Sequence, residues 1–173
     1  SSLYAKSPKK AMLAWYNEAR LGLFIHWGVW GKYHAAWAMF NQKIPFEDYQ
    51  KTALSVNASG FNATEIVKLA EDSGMRYITF VAKHHDGFCL WNSKYTDYDV
   101  ASSPVKTDVV KAVADACKKY GLQFAIYYSL WDRHEPSFND TNPQKYIDYM
   151  LNQLKELFTN YGSICELWLD GGW

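Results

Sequence analysis

Ile164-Cys165-Glu166-Leu167-Trp168-Leu169-Asp170-Gly171-Gly172-Trp173 reads as a buried strand that carries one carboxylate to its C-terminal tip. Alternation along an extended chain puts Glu166, Trp168 and Asp170 on one side, with Cys165, Leu167 and Leu169 on the other. One side is chemical and the other is packing. An Asp at a strand end, followed by glycines and preceded on its own face by Trp168, suits a catalytic carboxylate beside an aromatic platform. The same pattern fits an Asx-type turn that merely closes the strand. The choice between them depends on what the other strands carry.

Apolar strand-like runs recur upstream at 21–27, 77–82 and 123–129, separated from one another and from 164–169 by amphipathic stretches at 63–73, 108–120 and 143–161. Helix punctuation agrees with this division. Asn62 or Thr64 can cap the first of these helices, Thr107 precedes Asp108, Asn142 precedes Pro143 in a first turn, and Gly74, Gly121 and Gly162 follow the ends. Repeated βα units of roughly 40 residues imply a parallel sheet with helices on its outer face. The fold class is therefore α/β, half of a (β/α)8 TIM-type barrel, with residues 1–173 forming a single domain. An insertion at 28–60, rich in Trp, Tyr and Phe, follows the first strand, and a shorter one at 85–106 follows the second. Both fall on the side where such barrels carry their active sites.

Composition narrows the function. Eighteen basic and eighteen acidic residues give a net charge of zero, and the Lys and Arg are scattered, so neither nucleic acid nor an anionic membrane is an expected partner. No apolar run reaches the roughly 18 residues of a membrane span, and residues 1–10 lack the apolar core of a signal peptide. A soluble chain is expected, with the compartment open, including periplasmic or secreted after signal removal. Cys89, Cys117 and Cys165 have no metal-site spacing, and at least two fall in core elements. Aromatic residues make up 17% of the chain. Most belong in the core, but a surplus at strand ends would stack on the apolar faces of sugar rings.

Polar residues punctuate the strands at their C-terminal ends: His26, His84 and His85, Tyr127 or Tyr128, and Asp170. A single strand-end His is commonly structural, whereas convergence on one rim describes a site. Strict alternation sends His84 and His85 to opposite sides, which argues against both ligating one metal. On the third strand the parity of Gln123, Ala125 and Tyr127 is smaller and more polar, so Tyr127 faces inward while Phe124, Ile126 and Tyr128 meet helices. Dinucleotide, P-loop, nucleophile-elbow and Cys-x-x-Cys motifs are all absent from the sequence, and no cofactor is expected. Neutral donors, aromatics and one buried carboxylate together suggest a carbohydrate pocket.

Leu23-Phe24-Ile25-His26-Trp27-Gly28, Lys83-His84-His85-Asp86-Gly87-Phe88, Tyr127-Tyr128-Ser129 and Leu167-Trp168-Leu169-Asp170-Gly171 resemble motifs of the α-L-fucosidases of glycoside hydrolase family 29, in that family's order, over residues 16–173. The resemblance implies a retaining exo-glycosidase that removes terminal L-fucose from fucosylated glycans or fucosides through a covalent glycosyl-enzyme. It places Asp170 at the nucleophile position, and His26, His84 and His85 at positions that bind fucose hydroxyls. Tyr127 stands beside them and Trp168 lines the pocket. Where the family commonly has an acidic residue before a Trp, this chain has Ala36-Trp37, and Trp37 and nearby His34 remain binding candidates. Asp86, Gly87 and Phe88 are expected to support the histidine turn.

A retaining mechanism needs a second carboxyl group about 5–5.5 Å from the nucleophile. In the family it comes from the half of the barrel beyond this sequence. Glu47, Asp132 and Glu135 lie on strand-end loops here, and none matches the acid/base by motif. An open four-stranded sheet leaves two edges and an inner face uncovered, so closure by oligomerisation is expected, as a homodimer or higher homo-oligomer. A two-fold axis along the barrel would set Asp170 of one subunit beside His26 of the other, with gaps in the outer helix ring. The alternative is a catalytically incomplete fragment that binds fucose weakly without turnover.

Overall fold

The computed structural model describes residues 3–172, so Trp173 of the opening motif lies outside the described residues. Four parallel strands, β1 (Gly22–Ile25), β2 (Tyr77–Lys83), β3 (Gln123–Ser129) and β4 (Ile164–Asp170), stand side by side in chain order. Helices α5 (Ala63–Asp72), α6 (Val109–Tyr120) and α7 (Pro143–Asn160) make the crossovers, as the repeated βα pattern requires. Four more helices precede them: α1 (Leu3–Lys6), α2 (Pro8–Ala19), α3 (Ala38–Asn41) and α4 (Phe46–Leu54). Sequence patterning assigned nothing to α2, although Pro8 in its first turn is a start signal. Its Trp15 and Tyr16 pack on Tyr77 at the foot of β2, with ring centroids 5.8 and 5.9 Å away.

Boundaries shift for local reasons. β1 is shorter than the apolar run 21–27 because the chain leaves the sheet after Ile25, taking Trp27 onto Phe61, 4.9 Å between ring centroids. β2 runs one residue beyond expectation, through an irregularity between Val81 and Lys83 that keeps Lys83 opposite Tyr128. β4 likewise extends to Asp170, opposite Ser129. Asn62 caps α5 by accepting from the Glu65 amide at 3.2 Å. Asp108, rather than Thr107 before it, caps α6 by accepting from the Lys111 amide at 2.8 Å. α6 ends at Gly121, whose φ of +74° a residue with a side chain adopts only with strain.

The core lies on the outer face of the sheet. Ile78, Phe80 and Ala82 of β2 and Phe124, Ile126 and Tyr128 of β3 pack with Val67, Val110, Val113, Cys117, Leu154 and Leu157 of the helices. The 85–106 insertion contributes to this core. Phe88 through Trp91 are buried, Leu90 bonds back to the Ala82 carbonyl, and the Trp91 indole donates to Glu156 at 3.0 Å. The inner face is different. Phe24 on β1 and Trp168 on β4 remain 43% and 46% exposed, yet their ring centroids are only 5.4 Å apart. Strands at opposite edges of a flat four-stranded sheet are about 14 Å apart, three spacings of about 4.8 Å. The sheet is therefore strongly curled, with the concave side open, as in half a barrel.

Candidate active site

Curling gathers the strand tips. The ring of His26, just past β1, lies 4.8 Å from that of His84, just past β2, and His84 lies 4.2 Å from His85. Tyr127 of β3 stacks on His84 at 5.9 Å and donates its hydroxyl to Asp170 Oδ2 at 2.7 Å. His85 Nε2 stands 3.8 Å from the same oxygen. The inward orientation expected for Tyr127 is thus observed, with Phe124, Ile126 and Tyr128 in the helix-side core. The opposite orientation expected for His84 and His85 is not. β2 ends at Lys83, and the histidines sit in the turn beyond it, where period-two alternation no longer applies and both rings join one cluster. Despite that convergence, no group of three or more ligating side chains among the described residues is arranged to hold a metal ion.

Asp170 is held at both oxygens, Oδ2 by Tyr127 and Oδ1 by the Gly171 amide at 2.7 Å, while its carbonyl accepts from the Leu130 amide. Gly171, at φ +88°, backs against Trp131, and a Cβ there would meet Trp131 Cβ and N at 3.2 Å. His85 is fixed from behind by Ser129, with Nδ1 2.6 Å from Oγ, and its carbonyl accepts from the Arg133 amide. Neutral rings follow from this environment. Burial first, then the neighbouring His85 and His26, depress the His84 pKa to about 2. Burial also lowers His26 and His85, although Asp170 pulls His85 the other way. The Tyr127 phenol is pushed well up by burial and then by Asp170, so it stays a donor.

The remaining candidates divide. Trp37 joins the cluster edge-on to His85 at 4.7 Å, and Trp168 lies on the concave face against Phe24. His34 is exposed, at φ +56°, and its backbone amide donates to the Gly31 carbonyl at 3.3 Å to close the turn. Two of the three acid/base candidates have another task. Asp132 is buried in an ion pair with Lys83 at 2.7 Å and caps the amides of His134 and Glu135. Glu135 caps Ser137, and Glu47 is exposed in the first turn of α4. Sequence reasoning overlooked Trp30, 4.7 Å from His26 and 4.8 Å from His84, and also Trp131, 5.6 Å from His85. Their positions just after strand tips, at 30 and 131, were the available signal.

Beneath the histidine turn lies a sealed polar network. Lys83 Nζ reaches Tyr128 at 2.8 Å, Asp132 at 2.7 Å and Gln153 at 3.2 Å. Burial opposes the Lys83 charge, but Asp132 and the surrounding groups outweigh it and hold the ammonium above its ordinary pKa. Asp86 accepts from Tyr49 at 2.9 Å and from the Phe88 amide at 3.1 Å, and burial raises its pKa to about 6. Gly87, at φ +83°, leaves no room for a side chain against Asp132. These contacts agree with the supporting role expected of 86–88.

Comparison with known proteins accords with this geometry. A family model described as alpha-L-fucosidase matches residues 4–173. Alpha-L-fucosidase 1 of Arabidopsis thaliana is 37% identical over 95% of this chain and 31% of its own length. Plasma alpha-L-fucosidase of Homo sapiens is 31% identical over 91% of this chain and 39% of its own. The solved alpha-L-fucosidase isoenzyme 1 from Paenibacillus thiaminolyticus superposes with a TM-score of 0.89 at 36% identity, covering 95% of this chain and 44% of that one. A GH29 alpha-L-fucosidase from Bacteroides thetaiotaomicron, a trapped covalent intermediate with 2-fluoro-fucosyl fluoride, has a TM-score of 0.89 at 31% identity, over 94% and 42%. The chain thus spans 31% to 44% of the length of these relatives. With motifs, sheet order and matches in agreement from end to end, it belongs to the alpha-L-fucosidase family.

Proposed function

We propose that this chain is the nucleophile-bearing half of a retaining exo-α-L-fucosidase acting on terminal fucose of glycans or fucosides. The observation that carries the reading is Asp170, oriented by Tyr127 and Gly171 at the tip of β4 and facing a cluster of neutral imidazoles. One Asp170 oxygen would attack the anomeric carbon as the bond to the leaving oxygen breaks, giving a glycosyl-enzyme that water then opens. His26, His84 and His85, kept neutral by burial, can donate to and accept from sugar hydroxyls. Phe24, Trp168 and Trp37 offer apolar area to the sugar ring and its methyl group. His34 is an outer contact at most, being exposed.

Asp132 and Glu135 are committed by their contacts, and Glu47 is exposed in the first turn of α4, so none of the three is assigned as the general acid. It comes from a second set of four strands that closes the barrel, as further polypeptide or as a second copy in a two-fold dimer. In a dimer, β1 pairs with β4 of the partner, and the sample mass is twice that of the 20.0 kDa chain. The test is phenol release from an aryl α-L-fucoside, whose good leaving group needs the nucleophile but little acid help. Release that Asp170→Asn abolishes is expected; release that survives the substitution overturns the assignment. A natural glycan turned over only when the second half is present would identify the source of the acid. The other reading, fucose binding without turnover, is favoured by the side-chain partners of Asp170 among the described residues, Tyr127, the Gly171 amide and His85, none of which is a carboxyl group, and predicts no phenol release at all.

A further inference from the structure

Ser129, at the end of β3, is fully buried and has three polar neighbours around one hydroxyl. Its Oγ lies 2.7 Å from the Trp131 carbonyl, 3.0 Å from the Trp131 amide nitrogen and 2.6 Å from His85 Nδ1. A hydroxyl has one proton to give and two lone pairs to receive with. The carbonyl has no proton, so the short contact with it must use the hydroxyl's own. The Trp131 amide occupies one lone pair. The contact with His85 then closes only if Nδ1 carries the proton. Were Ser129 to donate to Nδ1 instead, two oxygens would face each other at 2.7 Å with nothing between them.

We infer that Ser129 is a positioning residue that holds His85 in the Nδ1–H tautomer, presenting the Nε2 lone pair to the space beside Asp170. Nε2 then accepts a hydrogen bond rather than giving one. Its distance of 3.8 Å from Asp170 Oδ2, an oxygen that already receives the Tyr127 hydroxyl, fits two acceptors that share a gap. A ligand hydroxyl entering that gap is required to donate. The site therefore discriminates a hydroxyl from an ether or carbonyl oxygen at this place, by the lack of a proton rather than by shape. This consequence rests on the pocket being a sugar site, whereas the tautomer itself does not.

The experiment is ring nitrogen NMR of the chain labelled with 15N-histidine, without ligand, at neutral pH. The His85 resonances are assigned by their loss in His85→Gln. The expected result is a protonated Nδ1 and an unprotonated Nε2, retained in Ser129→Thr and reversed or mixed in Ser129→Ala. A His85 that carries its proton on Nε2 in the unsubstituted chain overturns the inference, and so does a tautomer that Ser129→Ala leaves unchanged. Because the unsubstituted chain alone can refute it, a Ser129→Ala protein that fails to fold does not protect it. Nor does an inactive chain, since no turnover is measured.

Discussion

The tips of β2 and β3 present ionisable groups to both faces of the sheet, and the two faces treat them in opposite ways. On the outer face, Lys83 holds its charge in full burial, paired with the buried Asp132, and each makes several hydrogen bonds. On the concave face, burial lowers the pKa values of His26, His84 and His85, whose rings gather into one cluster on the side where Phe24 and Trp168 stay half-exposed. Residues adjacent in sequence, Lys83 and His84, fall on the two sides of this divide. A charge can be buried when its partner is folded in with it, whereas a binding group must keep capacity for something that arrives later. The outer face is packed as scaffold, and the inner face carries the groups of the proposed site.

That contrast can be broken by substitution. Asp170→Asn should lower aryl α-L-fucoside turnover by at least ~10³-fold while leaving the urea midpoint nearly unchanged. A large loss of stability instead would make Asp170 scaffold. Lys83→Met leaves the Asp132 carboxylate buried without its counter-charge, and should cost about 3–5 kcal/mol in urea denaturation. A cost below about 1 kcal/mol would mean the network is not sealed.

A smaller effect concerns pH. The folded chain keeps His84 neutral down to about pH 2, whereas an unfolded His takes a proton near 6.5. The unfolded state therefore binds the extra proton as pH falls below about 6.5, and this group's contribution to stability, complete above that value, is lost on acidification at about 1.4 kcal/mol per pH unit. His84→Gln lacks that linkage, so the stability gap between it and the parent should narrow in the parent's disfavour from pH 7 to pH 5. A constant gap would show a charged or solvated His84. Least disruptive is Trp168→Ala, which removes a side chain still 46% exposed and should change stability by under about 1 kcal/mol. Its expected effect is a raised KM, and an unchanged KM would remove Trp168 from the pocket.

Much of this was legible in order along the chain. Apolar runs placed all four strands, Asn62, Asn142 and Gly121 marked helix ends, and the polar residues at strand tips pointed to the rim on which the structure gathers them. Signals that depend on neighbours in sequence survive folding because they act within one element. The misplacement of β1's end and the silence about α2 arose where a short element is held by distant partners, Phe61 for Trp27 and Tyr77 for Trp15.

By itself the amino-acid sequence determined the βα repeat, the parallel sheet, the inward face of Tyr127 and the carboxylate at the tip of β4, because alternation and capping are local rules. Only the tertiary structure decided that His84 and His85 share one cluster, that Asp132 pairs with Lys83, and that Phe24 and Trp168 meet across the curled sheet. Those outcomes depend on turns beyond a strand's last residue, on where a buried charge finds its partner, and on sheet curvature. Each is set by packing between elements far apart in the chain.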